Sequence, residues 1–147
     1  MRLVVQRVEK AKVVRVSSGE TVGEIGLGLF VLVGFKKGDT SQSVELLVDK
    51  LSKLRVMSDE KDKMNLSVTD AGGSILIVSQ FTLHADTGSG NRPSFIDAEE
   101  PAKAKSLYEL FIAKLKETTI KTETGSFGDY MEIETVLDGP VTILYGD

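Results

Sequence analysis

The sequence predicts an α+β domain: a small, mainly antiparallel, β-barrel-like sheet with two main helices packed outside it. Three observations carry that expectation. Short apolar or alternating stretches recur between Gly, Asp, Asn and Pro positions, as strands and turns require. Two longer stretches place apolar residues at helical spacing. No repeat, low-complexity tract or long linker interrupts the chain, so residues 1–147 read as a single domain.

The elements follow in order. Residues 2–8 alternate, with Leu3 and Val5 on one face, and form a strand. Residues 12–17 give a second strand, closed by a turn at Ser18-Gly19. Residues 20–25 and 29–34 give two more, separated by Gly26 and Gly28. Asp39, Thr40 or Ser41 can cap a helix, in which Val44, Leu47, Val48, Leu51 and Leu54 form one stripe. After Gly72-Gly73 the apolar run ending at Val78 reads as a strand buried on both faces. Asp97 and Glu100 have capping-box spacing, Pro101 suits a first helical turn, and Ala104, Leu107, Tyr108, Phe111 and Leu115 continue the stripe. Residues 131–136 and 141–145 are strands broken by Asp138-Gly139-Pro140. The total is roughly seven or eight strands and two helices.

Composition narrows the chemistry. With 41% hydrophobic and 27% charged residues the chain has the balance of a soluble globular protein. There is no cysteine and one histidine, His84, which excludes disulfides, a cysteine nucleophile and the usual catalytic zinc ligand sets. No start resembles a secretory signal and no apolar run reaches membrane-spanning length, so a cytoplasmic protein without a membrane partner is expected. The net charge is −4, but residues 1–57 carry 10 basic and 6 acidic groups, and residues 96–147 carry 5 basic and 11 acidic groups. A basic amino-terminal region could meet phosphates; the plainer reading is a solvated mixed surface.

Three segments could carry chemistry. Ser79-Gln80-Phe81-Thr82-Leu83 follows the buried strand, where a core meets a cleft. In an extended chain Gln80 and Thr82 share one face, and backbone N–H groups leaving the ladder could bind an oxyanion. The alternative is a strand end whose polar side chains satisfy a turn. Gly88-Ser89-Gly90-Asn91-Arg92-Pro93-Ser94-Phe95 is a loop in which Arg92 could meet a phosphate and Phe95 a base, or simply a surface loop with an anchoring Phe. Asp138-Gly139-Pro140-Val141-Thr142 is a turn, or, with a cis Gly-Pro bond, a rigid side-chain-free surface able to approach a substrate closely. On a continuing strand His84 would face the same way as Thr82, which makes a Thr–His dyad conceivable.

Met1-Arg2-Leu3-Val4-Val5-Gln6-Arg7-Val8, Lys63-Met64-Asn65 before Ser67-Val68, Ser79-Gln80-Phe81-Thr82-Leu83, Asn91-Arg92-Pro93-Ser94-Phe95 and Gly139-Pro140-Val141-Thr142 occur in order across the whole chain. Together they resemble the D-aminoacyl-tRNA deacylase family (also called D-tyrosyl-tRNA deacylases). One departure stands out: the family's second signature usually has Asn two residues before the glycine, where this chain has Leu137.

The resemblance implies an enzyme that hydrolyses the ester of D-aminoacyl-tRNA, and of glycine mischarged on tRNA-Ala, without a cofactor or metal. It implies a cytoplasmic homodimer with its site at the interface, aminoacyl-tRNA as partner through its terminal adenosine, and no DNA partner. Gln80, Phe81 and Thr82 would be catalytic, with Ser79 in the same pocket. Gly139 and Pro140 of one subunit would reach the other's pocket and exclude L side chains, with Arg7 holding their loop. Phe127 and Met131, with Ala102, would take the terminal adenosine. Two activation routes stay open: Thr82 as nucleophile, or the ribose 2′-hydroxyl activating water. A general esterase using Thr82 and His84, or a non-catalytic RNA-binding barrel, are the competing functions.

Overall fold

The computed structural model describes residues 1–88 and 90–146. Its strands are β1 (Arg2–Arg15), β2 (Glu20–Ile25), β3 (Gly28–Gly34), β4 (Arg55–Ser58), β5 (Met64–Ser67), β6 (Ser74–Ser79), β7 (Lys121–Thr124) and β8 (Met131–Tyr145). The helices are α1 (Ser41–Ser52) and α2 (Pro101–Lys116), and Phe81–His84 form a 3₁₀ turn.

β1 organises the sheet. One edge pairs antiparallel with β3 over its first half and β2 over its second; the other edge pairs with β8 along nearly its whole length. β3 then pairs parallel with β6, and β6 parallel with β7. The barrel-like sheet is therefore mixed, with two parallel ladders beside its antiparallel ones. A Cβ on Gly23 of β2 would stand 2.6 Å from the Thr124 carbonyl oxygen, so β2 and β7 approach closely and nearly close the barrel.

Side-chain alternation sorts the apolar residues into two cores. Leu29, Val31 and Val33 of β3 and Ile75 and Ile77 of β6 pack with α1 and α2. Phe30, Leu76 and Val78 point the other way, into the barrel, with Ala11, Val13 and Ile25. This is the two-sided burial expected for residues 74–78. β1 serves both cores because an extra residue, Glu9, interrupts its pairing with β8 between Val8 and Lys10. Leu3 and Val5 join the helix-side core, while Val8, Ala11 and Val13 join the barrel core.

The sequence divided β1 and β8 into two strands each, whereas each is one bent strand. The short strands β4, β5 and β7 were not anticipated; four residues give too little periodicity to read. Thr40 caps α1 in a reciprocal arrangement with Ser43. Glu100, not Asp97, occupies the N-cap position of α2 and makes no side-chain capping bond.

Candidate active site

β6 ends at Ser79, where Gln80 N–H donates to the Val33 carbonyl at 2.8 Å and closes the ladder. The chain then turns into the 3₁₀ segment instead of continuing extended. As its first residues, Phe81 and Thr82 have N–H groups with no acceptor inside the turn. Gln80 Nε2 donates to Thr82 Oγ1, so these two side chains meet although the backbone is no longer a strand.

Ser79, Gln80 and Phe81 form one wall of a cavity of about 580 Å³. Phe127 and Met131 lie in a second wall with Tyr130 and Ile133, and Pro101 and Ala104 of α2 contribute a third. Phe127 is set by a tilted ring contact with Tyr108, centroids 5.5 Å apart. Met131 Sδ accepts from Ser126 N–H at 3.2 Å. Ala102 lies on the exposed side of the first turn of α2 and is not among the lining residues, though its neighbours on that turn are. Thr82 is exposed and likewise stands outside the lining.

His84 goes elsewhere. A side chain two positions along a 3₁₀ turn points away from its predecessor, unlike in a strand. His84 is only 5% exposed, and its wall belongs to a different cavity, beside Arg2, Lys36 and Lys37. Burial pushes its pKa down. The Thr82–His84 dyad conceivable on a strand is therefore overturned by the turn.

Opposite Arg7 the β1–β8 ladder opens. Gln6 faces Thr142 and Val8 faces Leu137, so residues 138–141 lie against the one residue between them. Arg7 is buried, which is costly for a cation without partners. Its Nη1 donates to the Val56 carbonyl at 2.8 Å, and its Nε lies 2.8 Å from Asp138 Oδ2. Nε makes no hydrogen bond of good geometry, so charge pairing is what satisfies it. The following Gly139-Pro140 peptide is cis, and Gly139 has φ +120°, which L side chains rarely adopt. Gly139 and Pro140 are exposed and do not line their own chain's cavity.

A sequence model of the family described as D-Tyr-tRNA(Tyr) deacylase matches residues 4–146. The chain belongs to the D-aminoacyl-tRNA deacylase family. Relatives of that name include one from Thermotoga petrophila, 53% identical over 98% of this chain and 95% of the relative. Another, from Brevibacillus brevis, is 49% identical over 98% of both chains. Among solved structures, the c-Myc DNA unwinding element binding protein superposes with TM-score 0.92 at 39% identity, covering 100% of this chain and 99% of that one. A probable eukaryotic D-amino acid tRNA deacylase superposes with TM-score 0.85 at 15% identity over 98% and 97%, a likeness of fold.

In this deacylase-family chain the cavity also holds features that the sequence reading did not single out. Tyr130 is 84% exposed at the mouth. Glu99 lines the cavity and is held below the usual carboxylate range, chiefly by a hydrogen bond from Lys103 at 2.6 Å. Phe95, already a candidate from the sequence, meets Phe81 edge-to-face with centroids 5.1 Å apart and is not among the lining residues. No motif marks Glu99 or Tyr130; only the fold brings them to residues 79–81. In the candidate phosphate loop, Arg92 is exposed and contributes to none of the three walls, and Ser89 lies outside the described residues.

Proposed function

We propose that this protein hydrolyses the ester linking a D-amino acid to the terminal ribose of tRNA, and the glycyl ester as well, while sparing L-aminoacyl-tRNA. The observation that carries this reading is the wall formed by Ser79, Gln80 and Phe81 facing Phe127 and Met131 across one cavity, in a chain of this family.

The chemistry needs three things. The ester carbonyl must be polarised, water must be activated, and the wrong enantiomer must be kept out. Two backbone N–H groups, of Phe81 and Thr82, suit the first: fixed donors at a developing oxyanion are worth about 2.7–4 kcal/mol each in other hydrolases. For the second, Thr82 is a poor nucleophile here. Its hydroxyl accepts from Gln80, and His84 is turned away from it. The ribose 2′-hydroxyl, adjacent to the ester, activates the water, and the protein's task is positioning. Phe127 and Met131 offer an apolar surface for the terminal adenine; Ala102, outside the lining, is next in sequence to the lining residue Pro101.

For the third, Gly139 and Pro140 of a second copy enter the cavity. Their main chain occupies the volume an L side chain needs, and glycine, with no side chain, is not rejected. Arg7, through Asp138, holds that segment in place. The enzyme acts as a cytoplasmic homodimer on aminoacyl-tRNA. Leu137 stands where the family usually has Asn; its side chain is exposed, and its backbone pairs with Val8 at the edge of the opened ladder.

The deciding assay uses matched D- and L-tyrosyl-tRNA with glycyl-tRNA alongside. D-tyrosyl and glycyl esters are expected to turn over, with L-tyrosyl disfavoured by about 3 kcal/mol or more, roughly 150-fold. Thr82→Ala retains substantial turnover, whereas a tRNA ending in 2′-deoxyadenosine is a poor substrate. Equal hydrolysis of both enantiomers would refute the chirality claim; near-complete loss in a folded Thr82→Ala dimer would restore the threonine route.

A further inference from the structure

We propose that the cavity lined by Arg2, Lys36, Lys37 and His84 holds a backbone phosphate of the single-stranded 3′ end of tRNA, just upstream of the aminoacylated adenosine. The proposal rests on the deacylase reading of the neighbouring cavity. It assigns a place to the positive amino-terminal region that the ester chemistry leaves unused.

The cavity has a volume of about 520 Å³, with Asp86 and Asp97 as its acidic members. Lys36 and Lys37 thus stand beside Arg2 on a concave surface, in a chain whose net charge is −4. Outside this lining, Glu99 feels the charge of Lys37 but is bound by Lys103 at 2.6 Å, and Asp39 is already engaged. Asp39 binds the Met1 ammonium at 2.8 Å and accepts from Lys36 N–H at 2.7 Å. Asp86 Oδ1 accepts from Gly88 N–H at 2.8 Å. Lys36 and Lys37, by contrast, form no side-chain ion pair among the described residues. Their backbone is fixed: Lys37 N–H donates to the Asp97 carbonyl at 2.9 Å, and Lys36 bridges Ala98. Arg2 is anchored by Nη1 donating to the Leu83 carbonyl at 2.7 Å.

Position selects the ligand. Three chain segments pass from one cavity to the other. Phe35, Ala98 and Phe81 line the ester site, while Lys36, Asp97 and His84 line the basic one. Adjacent residues lie about 4 Å apart and three residues along the 3₁₀ turn rise about 6 Å, so a polynucleotide whose terminal adenosine fills the first cavity carries its preceding phosphates past the second. Phosphate contacts fix register without reading bases, which suits a substrate end shared by many tRNAs.

The test compares D-tyrosyl-tRNA with D-tyrosyl-adenosine, which has no phosphate. In the Lys36→Ala/Lys37→Ala double variant, KM for the tRNA should rise about tenfold with little change in kcat. The salt dependence of kcat/KM should weaken by about 0.7 in log–log slope for one phosphate. Turnover of the adenosine ester should stay unchanged, and Lys36→Arg/Lys37→Arg should restore the tRNA KM. An unchanged tRNA KM, or equal impairment of both substrates, overturns the proposal. If wild type cleaves neither ester, the deacylase reading fails while the phosphate site is still decided by anisotropy of a labelled single-stranded RNA ending in adenosine. Tenfold weaker binding by the double variant supports the site. Equal binding, or displacement of the RNA by equimolar inorganic phosphate, overturns it.

Discussion

At the scale of single residues, burial decides what a polar group can do. His84 illustrates this: the sequence presents it as a partner for Thr82, but a change from strand to turn carries it into the interior. Its consequence is for stability. Burial lowers its pKa below the ordinary 6.5, so the unfolded chain binds the proton more tightly than the folded one. The contribution is complete above about pH 6.5 and is lost as acidification protonates the unfolded state and then the folded one. Denaturant titrations between pH 7 and 5, above the carboxylate range, should show stability falling by at most about 1.4 kcal/mol per pH unit from this group. His84→Phe should flatten that slope; an unaltered slope would show that other groups carry it. Arg7 is the contrasting case. The family resemblance implied that Arg7 holds the Gly-Pro loop; its ion partner Asp138, with a side chain 37% exposed, lies far along the chain, so nothing local announced the pair.

At the scale of elements, much of the fold was legible because period and punctuation agreed. The α1 stripe as far as Leu51, the α2 stripe and the doubly buried β6 follow from apolar spacing alone, while Leu54 lies beyond the end of α1. The parallel pairing of β3 with β6 was not legible, since alternation fixes faces and not neighbours. Its marker in the sequence is Gly28. A Cβ there would fall 1.9 Å from the Ser74 carbonyl oxygen, so the two strands can start side by side only with hydrogen at that position. Gly28→Ala should therefore cost about 3 kcal/mol or more, since the opposing atom is backbone. Gly26→Ala, with nothing within 4 Å, should stay within about 0.5 kcal/mol. Urea unfolding of both variants checks the contrast, and equal stabilities would mean the strands can part there without penalty. The 3₁₀ turn after β6 escaped notice for a related reason: Phe81 and Thr82 are strand-favouring residues following a strand, and tertiary packing overrides that preference.

At the scale of the whole molecule, one chain carries a cavity and a Gly-Pro segment that do not meet. The lining of the cavity includes neither Gly139 nor Pro140. Among the described residues, the strand bearing them, β8, pairs only with β1 and leaves a 15-residue edge, on which Val136, Leu137 and Leu144 are 39%, 44% and 71% exposed. Long edges with apolar side chains are usually blunted or covered, and contiguous apolar exposure marks an interaction surface. On the dimer proposed above, a second copy covering β8 would answer both points and would bring the cis peptide towards the neighbouring cavity. Light scattering after size exclusion should then give twice the 15.9 kDa chain mass. Val136→Glu lies in neither the cavity nor the Gly-Pro segment, and it places a charge where that contact would desolvate it. The variant should run at 15.9 kDa with its circular dichroism retained, and should lose deacylation of D-tyrosyl-tRNA. A wild type that stays at single-chain mass while hydrolysing that ester would mean each chain completes its own site.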